Sequence, residues 1–313
     1  MTTTSLDLDG LLRRLHLPTI RRLHAELAVR AETEEMSHRD FLAVLVAEEV
    51  AHRGQTRIQR SVRAARFPFL ATIEDFDFTF QTSVRLQLLG SFLGPELLSE
   101  GRSLILCGPT GLGKTHLAVA IAYRAIQNGA TALFREANAL VHELSDASRA
   151  GRLAAAMEPY LHAGVLVVDE IGYLAAPADA ANVLFQVVNQ RYLKKRPMVF
   201  TTNKPLAAWA DVLHDADLAE AIIDRILAHG RFLELRGSSY RTRHLKPPTS
   251  PPSKPPSRRA VIDGNRVPEF PEPTALASVL VEPRSDQRRK RRYCLARRHH
   301  ASLHRFTRKK RRR

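Results

Sequence analysis

Between Ser103 and Leu235 the chain alternates short, unbroken apolar runs with longer stretches of helical periodicity. Leu104-Ile105-Leu106-Cys107 precedes a helical pattern over 114–127, and Ala132-Leu133-Phe134 precedes one over 137–148. Val165-Leu166-Val167-Val168 precedes a third over 178–193, and Met198-Val199-Phe200-Thr201 follows it. Strands that are apolar at every position, rather than at alternate ones, belong in sheets covered by helices on both faces. The pattern therefore predicts an α/β domain with a parallel sheet over 103–245. Residues 1–66 carry leucines at helical spacing (Leu11, Leu12, Leu15, Leu23, Leu27, then Phe41, Leu42, Leu45) and predict a small helical N-terminal domain. Ser37 with Asp40 marks a helix start, and Pro68 a stop. Residues 67–102 read as a connector holding Phe76-Asp77-Phe78 and an amphipathic stretch.

The last segment, 246–313, is different in kind. It holds 10 of the 18 prolines, and 20 Lys and Arg against 5 Asp and Glu. It is expected to be a disordered, basic tail, because its composition cannot bury enough apolar surface to offset the entropy of ordering. The formal net charge of +16 resides almost wholly there, since residues 1–245 carry 28 basic against 27 acidic side chains. A nucleic-acid role for the body must rest on local patches, not on global charge. The two cysteines, Cys107 and Cys294, form no zinc spacing or disulfide framework. Together with the lack of a secretory pattern or of an apolar run near the ~20 residues of a membrane span, this predicts a soluble, cytoplasmic protein with no membrane partner. The histidines form no ligand constellation.

Three motifs carry chemistry. Gly108-Pro109-Thr110-Gly111-Leu112-Gly113-Lys114-Thr115 lies between an apolar strand and a helix. Glycines there let backbone N–H groups curl around a phosphate, Lys114 reaches the β- and γ-phosphates, and Thr115 offers a hydroxyl to Mg²⁺. The predicted ligand is ATP with Mg²⁺. Second, Val168-Asp169-Glu170 ends a buried strand with two acids. Asp169 is assigned to the Mg²⁺ shell and Glu170 to polarising the attacking water, since phosphoryl transfer depends on positioning and charge stabilisation. Third, Thr201-Thr202-Asn203 ends the following strand, where Asn203 is placed to orient water or sense the γ-phosphate. Standing alone, Asn203 would be an ordinary strand-end residue.

With these residues in view, the chain from about 10 to 245 resembles the AAA+ ATPases of the DnaA/DnaC branch, and more closely the IstB-type helper ATPases of insertion-sequence transposition. The resemblance is carried by the phosphate loop, Asp169-Glu170-Ile171-Gly172-Tyr173-Leu174, Thr201-Thr202-Asn203-Lys204-Pro205, Ile223-Asp224-Arg225-Ile226-Leu227 and Gly237-Ser238-Ser239-Tyr240-Arg241. It implies that Arg225 acts as an arginine finger in a neighbouring subunit's site, although by its sequence alone Asp224-Arg225 reads as a solvated helix face. It implies that Arg241 acts on the nucleotide of its own subunit, and it suggests that the connector around Phe76 and Phe78 packs beside the adenine.

Arg53, Arg57, Arg60 and Arg63 form a stripe at helical spacing. It is read as a track for double-stranded DNA, with a solvated face as the alternative. Arg135, Arg149 and Arg152 are further candidates, by resemblance, for a DNA-facing channel. The function expected is an ATP-dependent helper that forms a homo-oligomer on DNA and recruits or activates the transposase of its element. A DnaC-like helicase loader and a nucleotide-switched binding module are the alternatives. The arginine runs of the tail depart from the family and have no assigned role.

Overall fold

The computed structural model describes residues 7–173 and 177–243. The expected disordered tail, and Leu174 of the acidic motif, lie outside the described residues. The N-terminal region forms three helices, α1 (Leu8–Arg14), α2 (Pro18–Thr33) and α3 (His38–Ala65). Ser37 caps α3, its hydroxyl oxygen accepting from the Asp40 amide at 3.1 Å while its proton goes to the Asp40 carboxylate. The helix stops two residues before Pro68 is reached, with Arg66 in the left-handed region at φ 58°.

α2 begins at a proline and its N-cap, Leu17, has no side chain able to cap it. Glu49, one of the few buried charged residues, supplies the acceptor from α3 instead. Its Oε2 takes the amides of Thr19 (2.9 Å) and Ile20 (3.2 Å), while its Oε1 takes the Arg53 guanidinium at 2.8 Å. Burial alone would raise this carboxyl. The bonds from Arg53 and the two amides outweigh it and hold Glu49 below the ordinary carboxylate range.

α3 is 28 residues long, about 42 Å at 1.5 Å per residue. Its first half pairs with α2. Its second half presses Ile58, Val62 and Ala65 into the core of the following domain. The helix therefore spans the expected N-terminal domain and the sheet domain without a break, running through Gly54.

After α4 (Leu86–Leu93) and α5 (Glu96–Ser99), the chain enters the sheet with β1 (Ser103–Cys107), α6 (Lys114–Gln127), β2 (Ala132–Glu136), α7 (Ala137–Arg149) and α8 (Leu153–His162). β3 (Val165–Asp169), α9 (Ala180–Leu193), β4 (Met198–Thr202), α10 (Trp209–Leu213), α11 (Ala216–Leu227) and β5 (Gly230–Glu234) complete it. All strand pairs are parallel and the order is β2-β3-β4-β1-β5.

Every residue of β1, β3 and β4 is buried. Alternate positions feed two cores. Leu104, Leu106, Val165, Val167 and Val199 pack with α6 on one face. Ile105, Leu166, Val168, Met198 and Phe200 pack with α7, α9, α10 and α11 on the other. The expected α/β fold, a parallel sheet covered by helices on both faces, is the observed one. The fifth strand, β5, was not among the apolar runs, because an edge strand with Arg231 and Phe232 exposed lacks their signature.

Candidate nucleotide site

The carboxyl ends of β1, β3 and β4 bring the three motifs together. β4 lies between β1 and β3, so the acids of β3 reach the phosphate loop across the end of β4. This is the crevice in which open parallel sheets bind ligands. Gly108, Gly111 and Gly113 adopt φ of 149°, 86° and 86°. A Cβ on Gly111 would strike Ser239, and one on Gly113 would strike the Phe76 ring.

Lys114 opens α6 and its Nζ donates to the Pro109 carbonyl at 2.9 Å, across the loop. Burial lowers its ammonium from the usual lysine range, with the Asp169 carboxylate pulling the other way. Thr115 donates its hydroxyl to Asp169, 3.1 Å from each carboxylate oxygen. Burial raises the Asp169 carboxyl, opposed by the hydroxyls of Thr201 and Thr115 and by the charge on Lys114. Glu170, next along, sits at φ 61° with its side chain exposed, and its amide donates to Thr201 Oγ1 at 2.9 Å. Asn203 stands at the end of β4 with its Oδ1 buried and unpartnered among the described residues, pressed against Gly172.

Residues 110–115, Glu170, Thr201 and Asn203 border a cavity of about 210 Å³, together with Phe76, Phe80, Tyr240 and Arg241. Phe76 and Phe78 meet edge to face at 4.8 Å, but only Phe76 faces the cavity. Asp77 accepts from the hydroxyl and amide of Thr79 and from the Phe80 amide, which turns Phe80 toward Tyr240, 5.2 Å away. The Tyr240 amide donates to the Gly111 carbonyl at 2.9 Å, so the segment carrying Arg241 is fastened onto the phosphate loop itself. Of the predicted site residues, 110–115, Glu170, Asn203 and Arg241 line one space, and Asp169 joins it only through its bonds to Thr115 and Thr201.

A family model described as IstB-like ATP-binding protein matches residues 10–247. The chain belongs to that family. It is 35% identical over 230 residues to the insertion-sequence IS5376 ATP-binding protein of Geobacillus stearothermophilus, covering 74% of this chain and 91% of that one. To the insertion-sequence IS21 ATP-binding protein of Pseudomonas aeruginosa it is 34% identical over 235 residues, covering 75% and 88%. Among solved structures, the crystal structure of the DnaC helicase loader aligns at 24% identity with a TM-score of 0.42, covering 48% of this chain and 88% of that one. As an IstB-like protein, the chain is an ATPase.

Arg225 lies elsewhere in this IstB-like chain. Its Nε donates to Asn189 Oδ1 at 2.8 Å, it reaches the Ala221 carbonyl at 3.0 Å, and its guanidinium lies over Phe185. The arginine stripe divides. Arg53 is tied to buried Glu49 and to the His16 carbonyl, which gives it a part in joining the helices. Arg57, Arg60 and Arg63 are exposed and form no ion pair among the described residues. Arg135 is paired with Glu143 and Tyr160, and Arg149 with Asp146. The sequence reading missed Thr201 and Phe80 as site residues. Phe80 was legible as the third member of the alternating Phe76, Phe78, Phe80 series.

No helix among the described residues is long and apolar enough to cross a membrane.

Proposed function

We propose that the protein is an ATP-dependent, DNA-binding helper of transposition, which assembles as a homo-oligomer on duplex DNA and recruits or activates the transposase of its element. The insertion-sequence relatives support the biological setting. The observation that carries the DNA-binding part is the run of exposed Arg57, Arg60 and Arg63 along α3, unpaired among the described residues, on a helix rooted in the ATPase core.

In this reading Lys114 and the loop amides hold the phosphates, and Arg241 contacts them from its strap. The Thr115 hydroxyl and Asp169 carboxylate, hard oxygen donors beside a cationic lysine, fit Mg²⁺, which keeps several waters and takes only one or two protein oxygens. When bound, the ion neutralises charge on the phosphates. Glu170 holds and polarises the attacking water, Asn203 orients it, and Arg225 of one subunit serves the site of its neighbour. Assembly on DNA then completes the site, which couples binding to turnover.

The test is duplex binding as a function of salt. Each phosphate contact removed should flatten the slope of log affinity against log salt by about 0.9. Replacing Arg57, Arg60 and Arg63 with alanine should weaken binding uniformly across sequences and flatten that slope. An unchanged slope and affinity would remove the DNA-binding reading.

A further inference from the structure

Thr201 is fully buried in β4, yet its hydroxyl touches both acids of β3. A hydroxyl has one proton to donate and two lone pairs to accept with. The Glu170 amide can only donate, so it takes Thr201 Oγ1 as acceptor at 2.9 Å. The proton of Thr201 is left for Asp169 Oδ1. The chain of bonds thus has one direction, from the Glu170 amide through Thr201 to the Asp169 carboxylate.

Glu170 adds a second observation. It is a non-glycine residue at φ 61°, an unfavourable conformation for a residue with a Cβ that persists only where the surroundings impose it. Its bond to Thr201 is a restraint of that kind, tying the backbone on which the Glu170 side chain projects into the cavity. Thr115 approaches the same carboxylate from α6, so Thr201 and Thr115 hold Asp169 together.

We infer that Thr201 is a positioning residue for ATP hydrolysis: its single hydroxyl fixes the direction of Glu170 and the orientation of Asp169 together. This role rests on the ATP-hydrolysis reading of the site. Thr201 borders the cavity but is fully buried, its hydroxyl taken up by the two acids, and it acts through them.

Thr201→Val keeps the shape and deletes the hydroxyl, whereas Thr201→Ser keeps the hydroxyl. A bond to a charged group and to a constrained amide corresponds to a loss of about tenfold to a hundredfold in turnover. The affinity for a fluorescent ATP analogue, measured without Mg²⁺, should stay within about threefold, because the phosphate loop and Lys114 are untouched. Thr201→Ser should recover most of the turnover. Ser103→Ala deletes a buried hydroxyl that accepts from the Met198 amide at the other end of β4. It should lower thermal stability comparably while leaving turnover near that of the wild type. The inference fails if Thr201→Val turns over within twofold of wild type, if its analogue affinity falls in step with its turnover, or if the serine variant is as slow as the valine one. A wild-type protein that does not bind the analogue, or binds it equally well as Lys114→Ala, would overturn the nucleotide-site reading and this inference together. Lys114-dependent binding with an indifferent Thr201 would overturn the inference alone.

Discussion

Arg225 donates from Nε to Asn189 Oδ1 at 2.8 Å, which holds it against α9 of its own chain and out of the lining of the cavity beside Lys114. A guanidinium offered to a neighbour's γ-phosphate must come from such a place. Arg225→Ala should therefore preserve ATP-analogue binding and reduce turnover of the assembled protein by at least about a hundredfold. Mixing it with Lys114→Ala subunits, equally inactive alone, should restore part of the activity, because each supplies what the other lacks. Turnover measured across mixing ratios decides the point: no recovery at any ratio would remove Arg225 from the shared site.

Gly172 follows the acids by two residues, and a Cβ there would fall 1.8 Å from Asn203 Oδ1. Gly172→Ala should push Asn203 out of the cavity edge while leaving the phosphate loop intact. The expected result is a fall in turnover of about tenfold with analogue affinity unchanged, the signature of an interaction made in the transition state. Turnover and affinity determined on one preparation check it, and a loss confined to affinity would contradict the placement of Asn203.

Much of this site was legible because its chemistry is local. The phosphate loop reads directly, since its glycines, lysine and threonine are contiguous and each has a separate physical task. The acids of β3 were legible as the end of an apolar strand. What could not be read was Thr201 touching them, because that contact depends on β4 lying between β1 and β3, and strand order is not written in apolar runs. The arginine stripe misled at one position for a related reason. Arg53 shares a helical face with Arg57, but one turn earlier Glu49 is drawn under the N-terminus of α2, thirty residues away in sequence, and takes Arg53 with it. The Glu49–Arg53 spacing of four was the available signal.

Glu49 should make the N-terminal helices sensitive to acid. Its carboxyl is held below the ordinary range in the fold, so its ionised form stabilises the protein above the unfolded carboxyl pKa, about 4.3. That contribution is lost as pH falls through the folded value. Glu49→Gln should lower stability at neutral pH by about 2 kcal/mol, the scale for breaking a buried, hydrogen-bonded charge. The difference between variant and wild type should shrink as the solution is made more acidic. Denaturant melts at pH 7 and pH 4 measure this, and a difference independent of pH would show that the charge is not the cause.

Arg191 lies outside the cavity lining. It is fully buried on α9, with Nη1 bonded to the carbonyls of Tyr160 and Ala163 and Nη2 to those of Gly164 and Pro197. Burial pushes its guanidinium down to about 9, still charged at neutral pH. Among the described residues it pairs with no carboxylate; its charge is spread over four carbonyls that end α8 and precede β3 and β4. Those are the turns from which the two strands carrying Asp169 and Thr201 set out. Arg191→Met fills the same space and satisfies none of the four, so it should destabilise the fold by roughly 3–5 kcal/mol, several orphaned buried acceptors at once. Arg191→Lys should recover little, since one ammonium cannot span the four positions a planar guanidinium reaches. Arg196→Ala, which removes a bond to the Leu161 carbonyl from a half-buried side chain, should cost about 1 kcal/mol. Denaturant unfolding of the three variants ranks them, and a lysine variant close to wild type would show that a single charge at this point suffices.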